Sequence, residues 1–371
     1  MHKRSLLVLS VGLILILLSA CNYPRETAVP TEPMDIIRTA AAQTVEAMTT
    51  QIAATNPISN LPTATVEVIS SETPAPTQTQ QPAFTPTPTA ICDRAGFIEE
   101  TLPDGSDFLP GSTFTKTWKI KNTGTCSWDA NYAVVFTGGD GALNAPASLP
   151  ITTGNVAPGE TVLISMNLTA PASVGTYKAE FKLRNASNVI FGTGDYNKAF
   201  WVQIDVVSGS LDLAKNMCAA EWSTASGILD CPGKDGDSDG YAYLDETPLL
   251  EHGGEDDEPA IWTAPEKTTN GYIRAIFPAQ KMPAGMKFYS VIGCAPSETS
   301  CDAKLSLNYR EPGGALVNLA TWHEVNDGTI NRVTYDLGAL AGKNVQIILI
   351  VDANGSASGD KIHWLLPRIE P

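Results

Sequence analysis

The sequence is short of the residues that most chemistry needs. After residue 20 it holds three histidines, His252, His323 and His363, and it contains no His-Glu-x-x-His, Gly-x-Ser-x-Gly or phosphate-binding glycine loop. The common hydrolytic and phosphoryl-transfer sites therefore lack a footing. Positive charge is scarce as well: 24 Lys and Arg stand against 40 Asp and Glu, a formal charge of -16. That balance repels a phosphate backbone and argues against nucleic acid as a partner. Charged residues of both signs make up only 17% of the chain, so it is acidic without being charge-extended. The first apolar run, Leu6 to Leu18, is too short to span a bilayer comfortably. No two cysteines stand at the Cys-x-x-Cys spacing of a zinc site, which makes a metal–thiolate centre unlooked for. One enzymatic reading stays open. Glycoside hydrolysis needs two carboxylates about 5 to 9 Å apart, a separation invisible in an acid-rich sequence, so a surface glycoside hydrolase is the alternative to a binding protein.

What is present begins with an export signal. His2-Lys3-Arg4 precedes the apolar run, which ends in Leu18-Ser19-Ala20-Cys21. This resembles the lipobox of bacterial lipoproteins, in which the cysteine becomes the lipidated first residue. The resemblance implies a signal peptide over 1–20, lipidation at Cys21, a membrane anchor, and an extracytoplasmic location for everything that follows. An ordinary cleaved signal peptide with a stray cysteine is the alternative.

Residues 21–54 then form an anchor region with a short helix, in which Ile37, Ala41, Val45, Met48 and Ile52 recur at helical spacing. Its stripe is narrow, suited to a frayed spacer or to a short self-associating helix. Residues 55–91 change to Thr, Pro, Gln and Ser, with little to bury. Polyproline geometry at roughly 3.1 Å per residue would carry the following domains on the order of 100 Å from the lipid.

Beyond the linker, short strands and turns alternate. Phe114, Trp118 and Ile120 share one parity, with Lys116 as the exception, before Asn122-Thr123-Gly124 turns the chain into Cys126 and Trp128. Similar alternation runs through Tyr132–Phe136, Val162–Leu168 and Tyr177–Leu183. Over 92–208 this predicts an antiparallel β-sandwich. Six cysteines remain after Cys21, an even set that suits disulfides in an exported protein. Of the 15 connectivities six cysteines permit, clustering favours Cys92 with Cys126, Cys218 with Cys231 and Cys294 with Cys301.

The run PGSTFTKTWKIKNTGTCSW, with Gly139-Asp140, Ala157-Pro158-Gly159-Glu160, Gly175-Thr176-Tyr177, Leu183-Arg184-Asn185, Phe191-Gly192 and Phe200-Trp201-Val202, resembles the four-tryptophan (FW) immunoglobulin-like domain of the neighbour-of-BRCA-one type. The family's tryptophans fall on Trp118, Trp128 and Trp201, and the remaining one on Phe181. The resemblance implies a non-catalytic, protein-binding module. By parity, Trp118 belongs to the core, whereas Trp201 lies beside Gln203 and Asp205 on the polar side of its strand. There it either packs under a loop or meets a partner. Trp128 and Trp201 are the protein-binding candidates.

Residues 211–371 carry a second set of strands: Leu305–Tyr309 alternates, Val345–Val351 is apolar on both sides and so central, and Ile362–Leu366 is the last. The pattern suggests a jelly-roll or galactose-binding-like sandwich, a form shared by many glycan-binding modules. Sugar binding needs aromatic platforms, and Trp262, Tyr289 and Trp322 are the candidates, with His323, Asp352 and Asp360 as polar neighbours. Trp322 leads because its parity opposes Val317 and Leu319. Each of the three also suits rim packing. Asp235, Asp237, Asp239, the Tyr241 carbonyl and Glu246 match the D-x-[DN]-x-[DN]-G-x5-E pattern of a calcium loop, making calcium the one cofactor the sequence points to. Cys231-Pro232-Gly233 stands where an EF-hand needs a helix, and a solvated acidic loop is the alternative. The whole then reads as a mostly β, lipid-anchored protein on a stalk, with a protein or glycan ligand.

Overall fold

The computed structural model describes residues 91–141 and 143–371. The signal peptide, Cys21, the helix over 21–54 and the linker up to residue 90 lie outside the described residues. Among the described residues no α-helix occurs, and two short 3-10 turns interrupt an otherwise all-β chain.

The first sandwich contains β1 (Ala95–Glu100), β2 (Ser106–Phe108), β3 (Thr113–Asn122), β4 (Ala133–Gly139), β5 (Ser148–Pro150), β6 (Thr161–Thr169), β7 (Gly175–Arg184), β8 (Ile190–Phe191) and β9 (Phe200–Val206). One sheet has the order β1-β3-β6; the other has β2-β9-β7-β4-β5, with β8 on β7. All pairings are antiparallel except β2 with β9. Strand β3 shows why the sheets face each other. Its alternate residues Phe114, Lys116, Trp118, Ile120 and Asn122 are all buried, which forces the opposite parity outward. Trp118 packs against Phe181 and Phe200, with ring centroids 5.4 and 5.2 Å away. Phe181 thus fills the fourth tryptophan position as core.

Asn122 ends the strand and builds the turn. Its Nδ2 donates to the carbonyls of Cys126 and Val156, and its Oδ1 accepts the Gly124 N–H. Gly124 has no room for a side chain, since a Cβ there would sit 2.0 Å from the Cys92 carbonyl oxygen. That close approach brings Cys92 to Cys126, and the expected disulfide forms. The other two expected disulfides, Cys218–Cys231 and Cys294–Cys301, form as well.

The second sandwich contains β10 (Leu211–Asp212), β11 (Glu221–Thr224), β12 (Gly227–Ile228), β13 (Tyr241–Asp245), β14 (Ala260–Ala264), β15 (Tyr272–Ile276), β16 (Gln280–Lys281), β17 (Lys287–Cys294), β18 (Asp302–Arg310), β19 (Val317–Val325), β20 (Asn331–Asp336), β21 (Asn344–Ala353) and β22 (Ile362–Glu370). Its short sheet runs β13-β14-β22-β17-β20, and its long sheet runs β12-β11-β15-β21-β18-β19. Trp222, Phe288, Leu305, Ile347 and Trp364 fill the space between them. The doubly apolar β21 is central, as its composition demands. In β22 the expected parity breaks at Leu366, whose φ is 46° beside a register shift. Leu366 leaves the core and joins an outer cluster with Leu250, Val291 and Leu365.

The described residues fall within one compact unit, and the two sandwiches are tied by buried polar contacts. Gln280, 2% exposed, accepts from the Leu109 N–H and Ser112 Oγ through Oε1 and donates to the Asp107 carbonyl. Asn216 accepts the Asp107 N–H at 2.7 Å, and Lys215 pairs with the Asp107 carboxylate at 2.6 Å. Leu109 of the first sandwich is buried in the core cluster of the second. Every group named is satisfied across the boundary, the condition under which polar burial is tolerated.

Candidate functional site

Trp128, expected as a protein-binding candidate, is fully buried. It packs with Tyr132 and Phe191, and a backbone bridge to Val156 pins it under the turn after β3. It belongs to the core, a correction that parity could not supply because Trp128 lies outside any strand. Trp201 remains 39% exposed. Its Nε1 donates to Asp104 Oδ2 at 2.8 Å and the Lys178 ammonium lies 4.5 Å from its ring centroid, so the β1–β2 turn and β7 both touch it while part of the ring stays open. Its carbonyl accepts the Trp118 indole N–H, which ties the surface residue to the core.

The three aromatic glycan candidates are not brought together. Trp262 is 4% exposed, with its N–H on Asp245 Oδ2 and its ring beside His363. Tyr289 is half-buried under the Arg368 guanidinium. Trp322 faces inward, opposite Leu305 and stacked 6.4 Å from Phe288. The cause is a bulge: Leu307 pairs with Ala320 but Asn308 with Asn318, so Leu319 is the extra residue and parity reverses across it. Asn318 therefore points outward and Trp322 inward, against expectation.

The acidic loop carries its own cations. Lys361 Nζ lies 2.8 Å from Asp235 Oδ2, and Lys267 Nζ donates to the Gly236 carbonyl. Burial alone would raise the Asp235 carboxyl, but hydrogen bonds from Lys361 and Tyr241 hold it below its ordinary value. Asp237 accepts the Asp239 N–H, and Tyr241 enters β13. Among the described residues, the one group of three whose side-chain donor atoms lie within 4.8 Å of one another is Glu251, Cys294 and Glu324, with Cys294 already held in its disulfide, and none of Asp235, Asp237, Asp239 or Glu246 is among them. As folded, Asp235 is paired with Lys361, and no three of the loop's carboxylates converge to within 4.8 Å.

Glu251 and Glu324 also lie within 4.8 Å of each other, and both are buried, at 7% and 1% exposed. Glu251 accepts N–H groups from Cys294, Asp327 and Gly328, bracing two loops, and Glu324 accepts from Asn331. Burial, reinforced by the charges of Glu251 and Asp327, pushes Glu324 up to about 7. His363 is wholly buried in the short sheet, and burial lowers it to about 4. Asp360 is buried and accepts the Asp302 N–H, while His323 lies exposed with its Nε2 2.6 Å from Asp302 Oδ1.

A different surface gathers the polar groups a ligand would read. In β18 the alternation sends Ala303, Leu305 and Leu307 into the core, leaving Lys304, Ser306, Asn308 and Arg310 on the outer face of the long sheet. Register aligns that face into rungs. One runs Ser223, Arg274, Ile350, Ser306, Thr321; the next runs Glu221, Ile276, Ile348, Asn308, Asn318. Asn318 Nδ2 donates to Asn308 Oδ1 and Thr321 Oγ1, and Asn308 Nδ2 donates to Ser306 Oγ. Arg274 donates to Ser223 Oγ while its Nε has no partner, and Arg310 Nε donates to Gln346 Oε1. Ser306 and Asn308 form a buried floor; Asn318 and Thr321 are exposed at the rim. Side-chain amides, hydroxyls and guanidinium groups held by mutual hydrogen bonds offer donors and acceptors at fixed spacing. Sequence reasoning looked for aromatics and passed over this ladder, although the polar parity of β18 was its signal.

Comparison with known proteins bears mainly on the first sandwich. Residues 101–206 match the family model described as the Ig-like domain from next to BRCA1 gene. Next to BRCA1 gene 1 protein from Homo sapiens is 34% identical over 89 residues, 24% of this chain and 9% of that protein. Protein ILRUN from Danio rerio is 30% identical over 118 residues, 31% of this chain and 38% of that protein. The chain thus spans less than two fifths of either relative. Among solved structures, TmCBM61 in complex with β-1,4-galactotriose aligns with 9% identity and a TM-score of 0.27, over 40% of this chain and 86% of that one. A structure from work on carbohydrate-binding modules of the β-sandwich superfamily aligns at 11% identity and a TM-score of 0.28, over 76% and 98%. Neither likeness says what this chain binds. The matched residues nearly coincide with the strands from β2 to β9, so the similarity to the Ig-like domain from next to BRCA1 gene falls on the first sandwich.

Proposed function

We propose that this chain is a lipid-anchored, extracytoplasmic and non-catalytic binding protein, whose Ig-like domain engages a protein and whose second sandwich holds a glycan on the outer face of its long sheet. The amide–hydroxyl ladder from Ser306 through Asn308 to Asn318 and Thr321 carries the glycan part. Sugar hydroxyls are read by groups of this kind when their positions are fixed before binding, because less ordering entropy is then lost. The face has no exposed tryptophan to stack on a ring, so binding rests on hydrogen bonds and is modest in strength. For the Ig-like domain, the open part of Trp201 beside Lys178 supports contact with a protein, since a partly exposed indole suits an interface anchor.

Retention of the purified protein on immobilised polysaccharides tests the glycan reading. Wild type is retained, and Asn318→Ala, which removes an exposed rim amide, weakens retention about tenfold, the equivalent of about 1.4 kcal/mol. Release of reducing ends would replace this reading with the hydrolase alternative, and unchanged retention of Asn318→Ala would remove the ladder from it. Metabolic labelling with a fatty-acid analogue tests the anchor: label lost in Cys21→Ser supports it, and label retained contradicts it.

A further inference from the structure

We infer that the cleft between the two sandwiches is a composite binding site for a neutral oligosaccharide, one wall of which is supplied by the Ig-like domain. The inference rests on the glycan reading of the second sandwich and extends it to a surface that neither domain possesses alone.

The cleft encloses about 970 Å³, within the range of small-molecule sites, which favour domain boundaries. Its two walls differ in chemistry. On the Ig-like side, the outward parity of β3 and β6 presents Thr115, Thr117 and Asn167, with Thr115 Oγ1 donating to Asn167 Oδ1 at 2.8 Å. On the opposite side stand Ile228, 76% exposed, and Pro278. A sugar ring has an apolar face and a rim of hydroxyls, so a wall of hydroxyls and amides facing a wall of aliphatic carbon suits it on both sides.

Charge decides between neutral and anionic sugars. The charged residues lining the cleft are Glu100, Glu221 and Arg310. Glu100 is paired with the buried Lys116, and Arg310 already donates to Gln346. Arg310 keeps its charge in that bond to a neutral amide, but Glu221 offsets it, so the lining residues carry no net positive charge that would favour a uronate carboxylate.

Two features make the cleft a site. Its width is set by the contacts of Gln280, Asn216 and Leu109, which hold the sandwiches together through satisfied buried groups. It is also continuous with the ladder, because Glu221 and Ile276 of the second rung line it together with Arg310 and Gln346. A chain lying on the sheet face would enter the cleft at its end.

Isothermal titration of the purified protein with neutral and anionic oligosaccharides tests this. The probes are cellohexaose, xylohexaose and mannohexaose, their trisaccharides, and hexagalacturonate. The variants are Asn167→Trp and Ile228→Asp, both at exposed positions, with Asn318→Ala as the variant of the ladder alone. Expected is a loss of tenfold or more in affinity for a neutral hexasaccharide in either cleft variant, with trisaccharide affinity unchanged. Asn318→Ala weakens both lengths. Wild-type hexasaccharide affinity in the two cleft variants, with Asn318→Ala still impaired, would overturn the cleft and leave the sheet-face reading standing. Tighter binding of hexagalacturonate than of every neutral hexamer would overturn the neutral class. Absence of binding by any probe to wild type would overturn the cleft and the glycan reading together.

Discussion

Lys116 sits where the alternation of β3 calls for an apolar residue, and it is fully buried. Its Nζ donates to the Leu102 carbonyl at 2.6 Å and lies 3.0 Å from Glu100 Oε2, so the charge is paired within the fold. Burial lowers its pKa, with Glu100 opposing the shift. Lys116→Ala would leave Glu100 and the Leu102 carbonyl without this partner, and chemical denaturation is expected to show a loss of about 3 kcal/mol. Lys116→Met keeps the volume and is expected to cost less; equal costs would mean that the lost pairing, not volume, governs the site. Glu324 is the second instructive residue. Its folded pKa of about 7 lies above its ordinary 4.5, so the folded state holds that proton more tightly. The stability it contributes is present at low pH and is lost as pH rises from about 4.5 through about 7. Melting curves of Glu324→Gln should therefore lack this part of the decline and exceed wild type at about pH 8. Parallel pH profiles for the two proteins would contradict the assignment.

At the scale of elements, β3, β6, β7, β18 and β21 were legible in the sequence, because a strand with one buried face must alternate and a doubly covered strand must not. The disulfides were legible through clustering. Bulges were not, because one inserted residue leaves no mark on composition while reversing every later side chain. Trp322 shows the consequence: parity counted from Val317 and Leu319 placed it outside, and the bulge at Leu319 turned it in. Trp322→Ala should accordingly cost stability, about 3 kcal/mol by unfolding, since the indole stacks on Phe288 and packs against the core. Its effect on polysaccharide retention measured below the melting transition should be small. A large loss of retention with little loss of stability would return Trp322 to the surface. Trp128 was misplaced for a different reason, as a loop residue has no parity to read.

For the whole molecule, the contacts between sandwiches were the least legible feature. Asp107, Ser112, Asn216 and Gln280 are polar residues at turns and short strands, and nothing local distinguishes them from solvated ones. Gln280 meets Leu109 across 171 residues of sequence, so only the folded chain reveals the pairing. Gln280→Ala would leave the Leu109 N–H and the Asp107 carbonyl without this partner, and is expected to destabilise the assembly by about 2 kcal/mol. Proteolysis should then cut between Val206 and Leu211 sooner than in wild type; an unchanged cleavage rate would show that Leu109, Lys215 and Asn216 hold the domains without Gln280. On the proposed reading, a glycan lies on the outer face of the long sheet and runs into the interdomain cleft. Amide chemical-shift mapping with a neutral hexasaccharide tests it most directly. Shifts are expected at Ser306, Asn308, Asn318 and Thr321, continuing to Thr115 and Asn167 across the cleft. Shifts confined to the Asp235–Tyr241 loop or to the surroundings of Tyr289 would contradict it.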